Sequence, residues 1–187
     1  DTSTWVTGVG DYLTQILTEQ YGYHVIHDTQ TFDIIDGEID RSKAYNTARE
    51  GLLQILEENP SIEVIIDLHR DGVSEDKHLV TDINGKPTAQ IMYFNGLSYT
   101  NESGALDYLP NENVIANLAF SFRLEYEAAG YYPTLTRCVY LKGYRYNLDL
   151  RPKSILLEVG AQTNTVEEAR NAMEPFAYIL NKVLKGE

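Results

Sequence analysis

Residues 61–76 read SIEVIIDLHRDGVSED. An apolar run, Val64-Ile65-Ile66, climbs into Asp67-Leu68-His69-Arg70-Asp71 and stops at Gly72. Short β-branched runs bounded by turn residues read as strands. This one is apolar on both faces, as a central strand of a parallel sheet should be. It nevertheless closes on one histidine flanked by charges. Either the strand end simply reaches water, or the strand is a mount for a metal or a catalytic group. In open α/β sheets, sites gather at the carboxyl ends of strands.

Helical and strand patterns alternate on both sides of this stretch, which predicts an α/β domain with a largely parallel sheet. Trp5, Val9, Leu13, Ile16 and Leu17 recur at helical spacing, and Gly22 stops that helix. YHVIHD (23–28) reads as a short strand. SKAYNTAREGLLQILEENP is a helix ended by Pro60. HLVTDINGKPTAQIMYFN (78–95) reads as a hairpin, with Asn84-Gly85 between its two apolar stretches as the turn. Residues 113–129 form a helix stopped by Gly130, and TRCVYL and KSILLEVG are the last strands. Thr165 and Glu168 make a capping box for a final helix. Val166, Ala169, Met173, Phe176, Leu180 and Val183 are its apolar stripe.

The chain has 187 residues, 43% hydrophobic and 23% charged, which suits one soluble domain with one sizeable core. A net charge of −13 repels phosphate backbones and argues against nucleic acid as a partner. A single cysteine, Cys138, excludes an internal disulfide and a cysteine-cluster metal site, and reads as a small core residue. No apolar run approaches a bilayer span. The chain begins at Asp1 rather than Met, so any membrane anchor or export signal is expected outside it.

Two residues stand out as chemistry. His69 is a good zinc ligand as a neutral imidazole, and Asp67 or Asp71 could orient it. Its ordinary role is a hydrogen-bonded strand end. Glu158 closes the apolar strand SILLEVG, where a carboxylate is costly to bury without a partner. Beside a metal-bound water it has a task, taking the water's proton and passing it to the leaving group. An ion pair or a helix N-terminus would explain it equally. The two strengthen each other, because both strand ends should point to one edge of the sheet. His24 and His27 are three apart and so face opposite sides of a strand. Only His27 could join His69. Asn147 and Asp149 precede the Glu158 strand and suit either substrate or a turn. Asn164 suits the start of the last helix. The 14 tyrosines suit sugars, peptides and strands alike. HRD also matches the protein-kinase catalytic loop, but a kinase needs asparagine where Asp76 stands.

YGYHVIHD, AYNTAR, IIDLHRD, YNLDL and ILLEVGAQTNTVEEA, in this order, resemble the stage II sporulation protein P family. These are cell-wall hydrolases related to zinc-dependent N-acetylmuramoyl-L-alanine amidases. The resemblance covers nearly the whole chain as a single amidase-like catalytic domain. It implies a three-layer α/β fold, with a mixed, mostly parallel sheet of about six strands flanked by helices. It implies a zinc-activated water that cuts the peptidoglycan amide between the glycan lactyl group and the stem peptide. His69 would be a zinc ligand, Glu158 the catalytic glutamate, and Arg70 and Asn147 substrate-binding residues. It further implies action outside the cytoplasmic membrane, tethered at the sporulation septum, with the transglycosylase stage II sporulation protein D as partner.

Two departures qualify this. Leu148 stands where the family has glutamine, which puts an amide contact near Asn147 in doubt. The family's His-Thr-His block, carrying another zinc ligand, does not occur here: either it lies on a strand upstream of Asp1, or the protein lacks a complete zinc site. Two alternatives follow: a zinc endopeptidase acting within the stem peptide, or a non-catalytic wall-binding module of the same fold.

Overall fold

A computed structural model describes residues 2–30, 32, 34, 35, 38, 39 and 41–186. In chain order the elements are α1 (Thr2–Glu19), β1 (Ile34–Ile35), β2 (Glu38–Ile39), α2 (Arg41–Glu58), β3 (Val64–Asp71), β4 (Val80–Ile83) and β5 (Lys86–Ala89). There follow β6 (Ile91–Gly96), β7 (Tyr99–Thr100), β8 (Gly104–Ala105), α3 (Val114–Tyr131), β9 (Thr136–Lys142), β10 (Lys153–Ala161) and α4 (Val166–Lys185).

The main sheet has four strands in the order β3-β10-β6-β9. β10 is parallel to β3 and antiparallel to β6, and β6 is parallel to β9. The sheet is therefore mixed and mostly parallel, as expected, but narrower than six strands among the described residues. One reason is that residues 23–28, expected as a strand, carry no ladder. The other is that β3, expected in the middle, pairs only with β10. Its other edge opens on a groove lined by α1, residues 21–30 and α2. That position explains why none of its eight residues is fully buried.

Alternation along the strands sorts side chains between two faces. Ile91, Tyr93, Ile155, Leu157 and Val159 join α1, α3 and α4 in the large core. Trp5, Val9, Leu13, Ile16 and Leu17 of α1 are all buried there, as their spacing predicts. On α4, Ala169, Met173, Phe176 and Leu180 are buried, but Val166, on the first turn, is exposed. The opposite face carries a smaller cluster, Met92, Phe94 and Leu156, with Tyr146 packed on it.

Three further expectations need correction. α3 runs through Gly130 and ends at Tyr131, with Tyr132 as its cap just before Pro133, because proline and not glycine stops it. IMYFNG (91–96) is a fully buried central strand rather than part of the hairpin. Cys138 is exposed on the edge strand β9, not in the core. The Asn84-Gly85 hairpin forms as read, with positive φ at both residues (55° and 80°).

Candidate active site

His69 and Glu158 are Cα partners across the parallel β3–β10 ladder, near the carboxyl ends of both strands. Partners in register point to the same face, about 4.8 Å apart strand to strand. That face is the one bearing the small cluster. Across β10, Glu158 is opposite Met92 of β6. Ile91 then pairs with Thr136 and Tyr93 with Val139, so Arg137 and Cys138 together face Met92. This is a β-bulge, a device that re-aims side chains and is enriched beside active sites. One row thus crosses the whole sheet: His69, Glu158, Met92 and the Arg137–Cys138 bulge.

A second bulge ends β10. His69 pairs with Glu158 and Asp71 with Ala161, so Arg70 alone faces Val159 and Gly160. Gly160 sits at φ +57°, and a Cβ there would lie 2.6 Å from Asn164 Oδ1. Asn164 accepts from the Ala161 N–H at 2.8 Å and donates to Leu79 O and Glu168 Oε2. It has the helix-start role expected of it. The capping box of Thr165 and Glu168 is complete, and His78 adds a contact to Glu168 at 2.8 Å.

His69 Nε2 meets Asp67 Oδ1 at 2.9 Å, so Asp67 is the orienting carboxylate of the two expected. Burial alone lowers the His69 pKa, but the hydrogen bond and the charges of Asp67 and Glu158 outweigh it and raise it. Nδ1 makes no hydrogen bond among the described residues. Glu158 is pushed up to about 7, chiefly by burial. Asp71 and Asp67 add to this, and His69 and Arg137 oppose it. Glu158 Oε2 is buried without a hydrogen-bond partner. Neither an ion pair nor a helix N-terminus satisfies it, so the two ordinary explanations for this carboxylate are absent among the described residues. A carboxyl poised near neutrality is what proton transfer at physiological pH requires.

Tyr45 of α2 lies parallel to His69, ring centroids 6.5 Å apart and planes at 4°. Tyr146 packs edge-on against Tyr45 at 5.3 Å and Phe94 at 4.8 Å. Asn147 is nearly buried, and its amide is spent holding this wall. Nδ2 donates to Tyr45 O, and Oδ1 accepts from Arg49. Arg49 also forks onto both oxygens of Asp149 at 2.8 and 2.7 Å. Tyr146 and Asn147 both have positive φ (53° and 56°), an uncommon strain for non-glycine residues. Leu148 is buried in the same turn. Asn147 therefore positions Tyr45, and through it the surroundings of His69; a substrate contact is not where its amide points.

Arg70 is not brought to the site. It faces the opposite side of β3, with its guanidinium 5.0 Å from the Trp5 ring centre. Alternation from His69 accounts for this. His27 is engaged with Asp11 at 3.0 Å and nests over Gly10 of α1. Sequence reasoning missed Arg137 and Tyr45. Arg137 would require knowing the bulge, and Tyr45 is one of many tyrosines.

A catalytic zinc takes about three protein ligands and leaves one position open. Among the described residues, no group of three or more histidine, cysteine, aspartate or glutamate side chains is placed to hold a metal ion. The donors gathered around His69 do not by themselves complete a zinc site.

The fold defines the class first: an amidase-like α/β domain. The catalytic domain of CwlV, an N-acetylmuramoyl-L-alanine amidase from Bacillus (Paenibacillus) polymyxa var. colistinus, matches with a TM-score of 0.57. The match covers 98% of this chain and 85% of that one at 14% identity, a likeness of fold. The apo form of an N-acetylmuramyl-L-alanine amidase from Mycobacterium abscessus gives a TM-score of 0.46 at 16% identity, covering 99% and 76%. The family model for stage II sporulation protein P matches residues 1–181, and the chain belongs to that family. Stage II sporulation protein P of Bacillus subtilis (strain 168) is 26% identical over 184 residues. That alignment covers 95% of this chain and 43% of the relative, so the chain spans less than half of that protein's length.

Proposed function

We propose that this domain is a sporulation cell-wall hydrolase that cuts the amide between the glycan lactyl group and the stem peptide of peptidoglycan. The observation that carries it is the in-register pairing of His69 and Glu158 at two parallel strand ends. The amidase name of the CwlV domain and the family membership supply the substrate class. Glu158 takes a proton from the attacking water and returns it to the departing amine nitrogen, for which a pKa near 7 is suited. Asp67 fixes the His69 ring, and Tyr45 covers it.

Zinc belongs to this proposal as the cofactor, with His69 as one ligand. The remaining ligands come with a further strand, which pairs along the open edge of β3. The site acts outside the cytoplasmic membrane, at the sporulation septum, alongside the transglycosylase stage II sporulation protein D. Tethering at the septum belongs to the same proposal; among the described residues no helix is long and apolar enough to cross a membrane.

The test is product analysis of purified peptidoglycan treated with the full-length protein. Intact stem peptides with a free amino-terminal alanine are expected. Fragments cut inside the stem would transfer the reading to an endopeptidase, and no release at all would leave a wall-binding module. Glu158→Gln should lower release by about 10²–10⁴-fold.

A further inference from the structure

Arg137 starts on β9, at one edge of the four-stranded sheet, yet its Nη1 donates to Asp71 Oδ2 on β3, at the other edge, at 2.6 Å. Three strand spacings separate those edges, about 14 Å at 4.8 Å each. The arginine side chain therefore lies along the sheet face and crosses the strand that carries Glu158. The bulge opposite Met92 is what turns it onto that face. Its positive charge is felt by Glu158, whose pKa it lowers.

The guanidinium is held but not used up. Asp71 is itself fixed, its Oδ1 accepting from the Gly72 N–H at 2.7 Å. The Asp71 contact takes only Nη1, and Arg137 makes no other hydrogen bond among the described residues. The Nε–Nη2 edge remains, with two parallel N–H groups that match the two oxygens of a carboxylate. Both partners are partly exposed, at 26% and 23%, so a ligand can reach them. The surrounding charges, Asp67, Asp71 and Glu158, would repel an anion if this guanidinium were absent.

The distance is informative. Asp71 is two residues beyond His69 on the same face of β3, about 7 Å up the strand. An extended peptide covers roughly 3.3–3.6 Å per residue. An anion held there lies one to two residues from an amide being cut beside His69 and Glu158. In the stem peptide, the free α-carboxylate of the second residue stands at that remove from the alanine nitrogen.

We infer that Arg137, positioned by Asp71, binds a carboxylate of the substrate peptide one residue beyond the amide to be cut. This makes Arg137 a specificity residue for stem peptides that keep this carboxylate over those in which it is a carboxamide. The inference rests on the hydrolase reading above.

Two synthetic muramoyl peptides, alike except for carboxylate or carboxamide at the second residue, test it. Binding to the full-length Glu158→Gln protein is measured by calorimetry, and hydrolysis by the unmutated protein is followed in parallel. The carboxylate twin should bind about ten-fold more tightly or better, the range of hydrogen bonds to a charged group. Arg137→Met should bring that ratio to about one while leaving carboxamide binding near its original value, and Arg137→Lys should restore part of it. Equal affinity for both twins in the protein with Arg137 intact overturns the inference without need of any variant. So does an Arg137→Met loss that is the same for both. Failure to bind or cut either twin overturns the hydrolase reading, and this one with it.

Discussion

Glu158 has an energetic signature that can be measured apart from turnover. Its carboxyl holds a proton in the folded chain up to about pH 7, against an ordinary value of 4.5. Between those limits the native state binds more protons than the unfolded one, so stability falls as pH rises through the window. Glutamine keeps the shape and removes the ionisation. Metal-free Glu158→Gln should therefore match the parent near pH 4 and exceed it above pH 7 by roughly 2 kcal/mol. That figure is reduced from about 1.4 kcal/mol per unit because solvent screens a partly exposed group. Urea melts at the two pH values measure it, and an equal difference at both would show that ionisation is not the cause. His69 and Glu158 were legible because each breaks an apolar strand with a group that strand burial penalises. Arg137 was not, since alternation from Val139 places it on the wrong face unless the bulge is known. Arg70 misled for the converse reason: its place beside His69 in the chain puts it on the opposite face of the strand.

At the scale of elements, the end of β10 and the start of α4 work as one clasp. Glu168 Oε2 gathers the Thr165 N–H, the Asn164 amide and His78, and Asn164 in turn holds Ala161 two residues beyond Val159. Burial raises the Glu168 pKa, but these hydrogen bonds outweigh it and lower it overall. Its stabilisation is thus complete above the unfolded value and lost as pH falls through the lowered one. Glu168→Ala should cost about 1–3 kcal/mol by losing the cap and stranding buried donors, and should lower activity without touching substrate. His78→Ala, half-exposed, should cost less. Thermal melts with paired activity assays decide this; a Glu168→Ala protein as stable as its parent would remove the clasp. The capping box and the Asn84-Gly85 hairpin were readable because their signals are local. The ladder-free stretch 23–28 was misread because a strand pattern shows a face to bury, not a neighbour to pair with.

For the molecule as a whole, the proposed zinc reading turns on the groove beside β3, where the proposed further strand would bring the remaining ligands. Residues 1–187 should bind zinc weakly, since His69 alone cannot hold it. A chain extended by the upstream strand with its histidine should bind one zinc tightly and gain activity. Zinc titration of both chains decides, and tight stoichiometric binding by residues 1–187 with His27 or His78 as co-ligand would relocate the centre. The sheet order could not be read from residues 1–187, because strand patterns do not state which edge stays open.

That open edge also governs how the isolated domain behaves in a test tube. Alternate residues of the eight in β3 turn their backbone groups toward the groove, where no strand is paired among the described residues, and a bare strand edge is a template for another copy of itself. A net charge of −13 makes copies repel one another and opposes that pairing. Salt shortens the reach of that repulsion, from about 30 Å at 0.01 M to about 8 Å at physiological strength. Sedimentation of residues 1–187 should show monomers in dilute buffer and concentration-dependent association as salt is added. A chain extended by the proposed strand, if that strand occupies the edge, should stay monomeric throughout. The colloidal behaviour of the preparation is then a direct gauge of whether the strand ladder is complete.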